Sequence, residues 1–279
     1  LDLLPGEKRS FFFDELSWRT HEYSATSSVT LISRHPVEMV NQFAFDEQAM
    51  AGFGGAPAVT DRLIIPDIYH EIMGGERYMR GAIKNETFFS SDLLVRLYTA
   101  AGILQNEISD QIPAGGELAI RPGTAPFYSA PDNGWMEIVS ISRRPVSGYQ
   151  YIENRSGSRN TMESMFALPV TAGRKIVPHV PAPTGRWQTS VTLVNPDDRY
   201  NPVTIHPALA GSDDRWDMVI DLDPFEKRTI DVSDFGKIMG DPLYRSFLEI
   251  TAEYPLAGYY MYSPPNGGDE AAYPLMTDD

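Results

Sequence analysis

His70 and Glu71, in the stretch YHEIMGG, begin like the helical zinc signature in which two histidines four residues apart flank a glutamate base. Gly74 stands where the second histidine is required and Gly75 follows it, so neither a ligand pair nor a helix is expected. GFGGAP, from Gly52, lacks the third glycine of a dinucleotide loop and precedes no helical pattern. There is no G-x-S-x-G elbow. The absence of cysteine excludes thiol catalysis, thiolate zinc sites and disulfides together. His21, His35, His70, His179 and His206 do not cluster along the chain. A glycosidase-type carboxylate pair could lie among the 38 acids, but no spacing singles one out. The expectation is a protein without catalytic residues.

Other residues could bind without catalysing. The acidic turns NPDDRYN, GSDDRWDMVIDLD and NGGDE could converge oxygens on calcium, with Asp197, Asp198, Asp213 and Asp214 as the candidate ligands. None has the EF-hand spacing, and solvated turns are the competing reading. Tyr149, Tyr151, Tyr259, Tyr260 and Tyr262 lie in alternating runs, so one face of each run is expected in a core and the other could be an exposed aromatic strip for a glycan or a protein. Trp187 is read as a core cap, with sugar stacking as the alternative. Sequons at Asn85 and Asn154 would lie on exposed turns. A formal charge of −15 spread along the chain argues against nucleic acid or an anionic membrane as partner. No apolar run approaches the roughly 20 residues of a membrane helix.

The elements that must position these residues read as strands. SVTLIS, MEIVSIS, TSVTLVN, DLLVRLY and DMVIDL alternate apolar and polar residues, and Gly, Pro, Asn and Asp bound them. Phrases also recur. DLLPGEKRSFFF from Asp2 returns as DLDPFEKRTIDV from Asp221, with a weaker copy, QIPAGGELAI, from Gln111. Pro36, Pro145 and Pro255 stand 109 and 110 residues apart; Pro66 matches Pro178, and Asn85 matches Asn195. One half-module thus occurs three times and a different one twice, in alternation. An all-β fold of tandem immunoglobulin-like β-sandwiches is expected: residues 62–172 and 173–279 complete, residues 1–61 half a module. The half-module would expose Phe11, Phe12, Phe13, Val29, Leu31, Phe43 and Phe45, a surface for packing within the chain, on a segment upstream, or between subunits. The chain starts at Leu1, which fits removal of a leader or excision from something longer.

GRWQTSVTLVNPDDRYNPVTI resembles a module found in repeated copies in secreted and surface proteins of bacteria, where Trp, then Thr or Ser, then Leu-x-Asn-Pro open a β-sandwich. Trp187, Thr189, Leu193, Asn195 and Pro196 fill that pattern, and Pro255, Leu256, Gly258, Tyr259 and Tyr260 resemble its later phrase. The resemblance covers about Arg174 to Leu275. In the earlier copy Tyr78 stands near the Trp place, Glu86 replaces Pro and Gly81 interrupts the strand. The resemblance implies an extracellular structural or adhesive module and brings no catalytic residues. The expected function is a non-enzymatic, exported repeat protein building a rod, filament or surface layer, through self-association or neighbouring surface proteins. The alternatives are an adhesin or carbohydrate- or protein-binding module, and a phage or virion decoration protein.

Overall fold

The computed structural model describes residues 41–45, 49–53, 58–69, 77–156, 159–180, 188–209, 217–232, 246–263 and 271–277. Among them there are strands and turns and no helix, as the alternation predicts. β1 (Asn41–Phe45) and β2 (Ala49–Phe53) form a hairpin sheet of their own, and β2 lies alongside β10 (Arg159–Phe166). Phe43 and Phe45 are on β1; Phe11, Phe12, Phe13, Val29 and Leu31 lie outside the described residues. Gly52 sits within β2, so the GFGGAP stretch begins at a strand end; His70 to Gly75 are also outside the described residues.

Two pairs of antiparallel sheets follow. The first pair uses β3 (Arg62–Ile68), β4 (Arg77–Asn85), β5 (Ser91–Tyr98), β6 (Leu104–Ile112), β7 (Glu117–Ile120), β8 (Gly134–Ser140), β9 (Val146–Ser156), β10 and β11 (Leu168–Pro169). They order as a four-stranded sheet β10-β9-β4-β7 and a five-stranded sheet β11-β3-β8-β5-β6. The second pair uses β12 (Lys175–Val180), β13 (Gln188–Val194), β14 (Asn201–Leu209), β15 (Met218–Leu222), β16 (Lys227–Asp231), β17 (Ser246–Ala252), β18 (Ala257–Ser263), β19 (Ala271–Pro274) and β20 (Met276–Thr277). Their orders, β16-β13-β18-β19 and β15-β14-β17-β12-β20, repeat the first pair strand for strand.

Alternation explains why the sheets face each other. On β5, Leu93, Val95 and Leu97 are buried and join Leu63, Ile65, Met136 and Ile138 from the same sheet with Met79, Ile83 and Ile152 from its partner in one apolar cluster. Val191, Leu193 and Tyr260 from one sheet and Val203, Ile205, Leu248 and Ile250 from the other make a second cluster. Each such side chain contributes about 1.5–3 kcal/mol on burial. Gly81 lies inside β4 instead of breaking it.

The Asn85 and Asn195 match is carried by the same contacts. Asn85 Nδ2 donates to the carbonyls of Phe89, Ile112 and Pro113, and Oδ1 accepts from the Thr87 amide. Asn195 Nδ2 donates to the carbonyls of Arg199 and Asp223, and Oδ1 accepts from the Asp197 amide. Each clamps the turn that follows its strand. Asn85 is fully buried, so its sequon is not on the exposed turn expected of it.

Candidate functional site

The described residues all belong to one compact unit, Val37–Asp279, and its most developed chemistry lies where the two sheet pairs meet. Because inward residues alternate with outward ones, the outer face of the first five-stranded sheet carries Ile64, Trp135 and Tyr98. The outer face of the second four-stranded sheet carries Val194, Ala257 and Tyr259. These six share a third apolar cluster with Met165 and Leu168. The sheet pairs therefore join face to face.

The turn between β15 and β16, inside the phrase DLDPFEKRTIDV, is the key. Phe225 has a φ of 58°, a left-handed conformation costly for a bulky residue. Its ring stacks on Tyr98 at 4.9 Å between centroids, and the opposite face of Tyr98 stacks on Trp135 at 4.4 Å. Trp135 Nε1 donates to the Phe225 carbonyl at 2.9 Å, and the Phe225 amide donates to the Asp197 carbonyl. Burial and the nearby Glu137 raise the Tyr98 pKa. Gly102, with φ of +81°, closes the other side: a Cβ there would lie 2.3 Å from the Pro224 carbonyl oxygen.

Beside the stack is a buried polar knot. Lys227 Nζ donates to Asp67 Oδ1 at 3.0 Å, to Asn133 Oδ1 and to the Gly134 carbonyl, while Tyr259 Oη donates to Asp67 Oδ2 at 2.6 Å. The Lys227 amide donates to the Ala100 carbonyl. Both charges are removed from water and paired, as burial demands. Further along the face Arg62 Nε donates to Glu137 Oε1, and its guanidinium also reaches Asp197 Oδ1 and the Pro196 carbonyl on the Asn195 turn. Arg96 completes the row, binding Glu137 Oε2 and Glu107 Oε2; the Glu107 hydrogen bond is the chief cause of its raised pKa.

The candidates from sequence fall differently. Asp197 is engaged by Arg62, and Asp198 is exposed on the same turn. Asp213, Asp214 and Trp187 lie outside the described residues. Among the described residues no three acids and histidines gather as metal ligands. On β18, Tyr259 is buried in the junction and Tyr260 in its own core. Tyr262 is half-buried against Tyr260 and Tyr273, and burial pushes its pKa up to about 12. Tyr149 and Tyr151 are half-buried on β9; burial, then Glu117, pushes Tyr149 up to about 12. Sequence reasoning missed Asp67, Tyr98, Trp135, Phe225 and Lys227 as a group. The usable signal was Phe225 itself, standing where QIPAGGELAI has Gly115, which also has positive φ.

No protein-family model matches the chain. No curated protein matches it. Among solved structures, a Bacteroides uniformis beta-glucuronidase 2 covalently bound to a cyclophellitol-6-carboxylate aziridine is 11% identical over 76% of this chain and 25% of its own, with a TM-score of 0.15. A D341A D367A calcium binding mutant of Bacteroides uniformis beta-glucuronidase 2 is 11% identical over 79% and 28%, with a TM-score of 0.14. The chain thus spans about a quarter of the length of these proteins, and likenesses this slight carry no argument. No helix among the described residues is long and apolar enough to cross a membrane.

Proposed function

We propose that this chain is a non-enzymatic structural protein of the cell exterior, made of tandem immunoglobulin-like β-sandwiches fastened into a stiff unit. The fastened junction carries this reading: a stacked Trp135–Tyr98–Phe225 column and a buried Lys227–Asp67–Tyr259 knot hold one sheet pair against the next. Domains in one chain move relative to each other unless the interface between them is large and apolar, and this junction has an apolar cluster of its own. The grouping into two sandwiches is supported by the two apolar clusters, each drawn from two sheets, and by a chain that crosses repeatedly between the two sheets of a pair. A four-blade, propeller-like grouping would instead keep consecutive strands within one blade.

Scanning calorimetry of the purified chain tests this reading. A single transition that includes both sandwiches supports it. Two transitions, each matching one sandwich, would overturn it. The binding-module alternative is favoured instead if a glycan array returns a ligand whose affinity falls on replacing Tyr262 or Tyr273.

A further inference from the structure

The second five-stranded sheet repeats, on its outer face, the arrangement that receives a neighbour on the first. Arg174 Nη1 donates to Glu249 Oε1 at 2.7 Å, as Arg62 does to Glu137. His206 stands directly opposite Glu249, as Arg96 stands opposite Glu137. His206 Nδ1 lies 2.8 Å from Asp217 Oδ1, the counterpart of Arg96 with Glu107. Ile176 pairs with Glu249 as Ile64 pairs with Glu137. The difference in cover lies at the central glutamate, the flanking charges of both rows being partly exposed. The Glu137 side chain is 2% exposed and that of Glu249 is 25%. Pro178, Asp217, Val219 and Asp221 around the second row are exposed.

The complementary part is repeated too. Within the chain it is the Asn195 turn that sits on Arg62. Its counterpart, the Asn85 turn, has the same clamp, yet Phe88 is 94% and Phe89 66% exposed. Ile141 and Val59 are exposed at the same end, tied to it through the Ile141–Asp92 and Val146–Thr60 backbone bonds. The Arg144 guanidinium lies over the Phe89 ring at 5.2 Å and Arg143 is exposed, while Asp61, Glu86 and Asp92 are exposed at the same end, so the apolar end has a rim of both signs. The exposed Asp217 and Asp221 stand on either side of Val219.

We propose that a second copy of this chain docks head-to-tail, seating its Asn85–Phe89 turn on the Arg174–Glu249–His206 face as the Asn195–Arg199 turn seats on the Arg62–Glu137–Arg96 face within one chain. The contact is heterologous: each docked copy leaves one turn and one face open, so association propagates head-to-tail, as a filament or a closed ring according to the rotation between copies. This rests on the structural reading above. Its charged rim makes it salt-sensitive.

Sedimentation velocity of the intact chain at rising concentration, with Arg174→Glu and Phe88→Ser variants, tests it. Both positions are on the surface, and circular dichroism and melting confirm that each variant folds. The wild type is expected to form a concentration-dependent series, and each variant alone to associate at least about tenfold more weakly, a loss of about 1.4 kcal/mol. An equimolar mixture of the two variants forms dimers and stops, because one brings an intact turn and the other an intact face. A wild type that stays monomeric throughout, variants that self-associate as tightly as the wild type, or a mixture no better than either variant alone overturns the proposal. A strict monomer that melts in one calorimetric transition removes the docking and leaves the structural reading standing. Two transitions remove that reading itself.

Discussion

On the first five-stranded sheet Glu137, at the centre of the Arg62–Glu137–Arg96–Glu107 row, is buried under the second sheet pair beside Trp135 and Tyr98, while the outer members of the row stay partly exposed. On the second sheet the row Arg174–Glu249 and His206–Asp217 lies at a half-exposed surface, with Phe247 in the Trp135 position of β17. The ionic pattern is shared, so it does not by itself decide which face is covered. The aromatic side chains beside it and the Phe225 turn that reaches over it do. Removing one partner of an ion pair of nearly the same geometry costs much under that cover, where the other charge is left buried, and little without it.

The largest expected effect is at the polar knot. Lys227→Ala leaves the Asp67 carboxylate buried with only Tyr259 as donor among the contacts described, and is expected to cost about 3–5 kcal/mol in urea unfolding. A loss below about 1 kcal/mol would mean that water reaches the knot and the junction is loose. Next comes the matched pair Glu137→Gln and Glu249→Gln. The first removes a buried acceptor of two arginines and should cost about 1.5–3 kcal/mol. The second should cost less than about 1 kcal/mol. Equal losses would erase the distinction between a covered and an open face.

The smallest effect is absent at neutral pH. Tyr149 and Tyr262 are raised to about 12, chiefly by burial. A raised pKa means that the folded chain favours the protonated phenol. That contribution is complete below the unfolded value near 10 and is lost as pH rises towards about 12. Stability should therefore fall across that alkaline window, and Tyr149→Phe with Tyr262→Phe should flatten the fall. Tyrosinate absorbance during titration measures it, and ionisation of both residues at the ordinary value would contradict it.

Much of the fold was legible because it depends on local alternation. DLLVRLY, MEIVSIS, TSVTLVN and DMVIDL fall within or around β5, β8, β13 and β15. Asn85 and Asn195 were matched by spacing alone, and their clamps show why the position requires an amide: an Asn side chain both donates to carbonyls four and about 28 residues on and accepts from the amide two residues on. The junction was not legible in the same way. Asp67, Trp135 and Lys227 come from separate strands, and no spacing joins them. Alternation in AGYYMY assigns Tyr259 and Tyr260 to opposite faces but does not say that a neighbouring sheet covers the outward one. An open strip and ordinary packing both stood as readings for that reason: an outward tyrosine facing solvent and one facing another sheet look alike in sequence.

The junction's rigidity is the central claim, and the absence of native cysteine makes it directly measurable. Cysteines introduced at the exposed Ser109 and Thr251, one on each five-stranded sheet, can carry spin labels for a double electron–electron resonance distance measurement. The account predicts one narrow distance distribution that broadens in the Lys227→Ala variant. A broad distribution in the unaltered background would contradict it, leaving two sheet pairs that move independently.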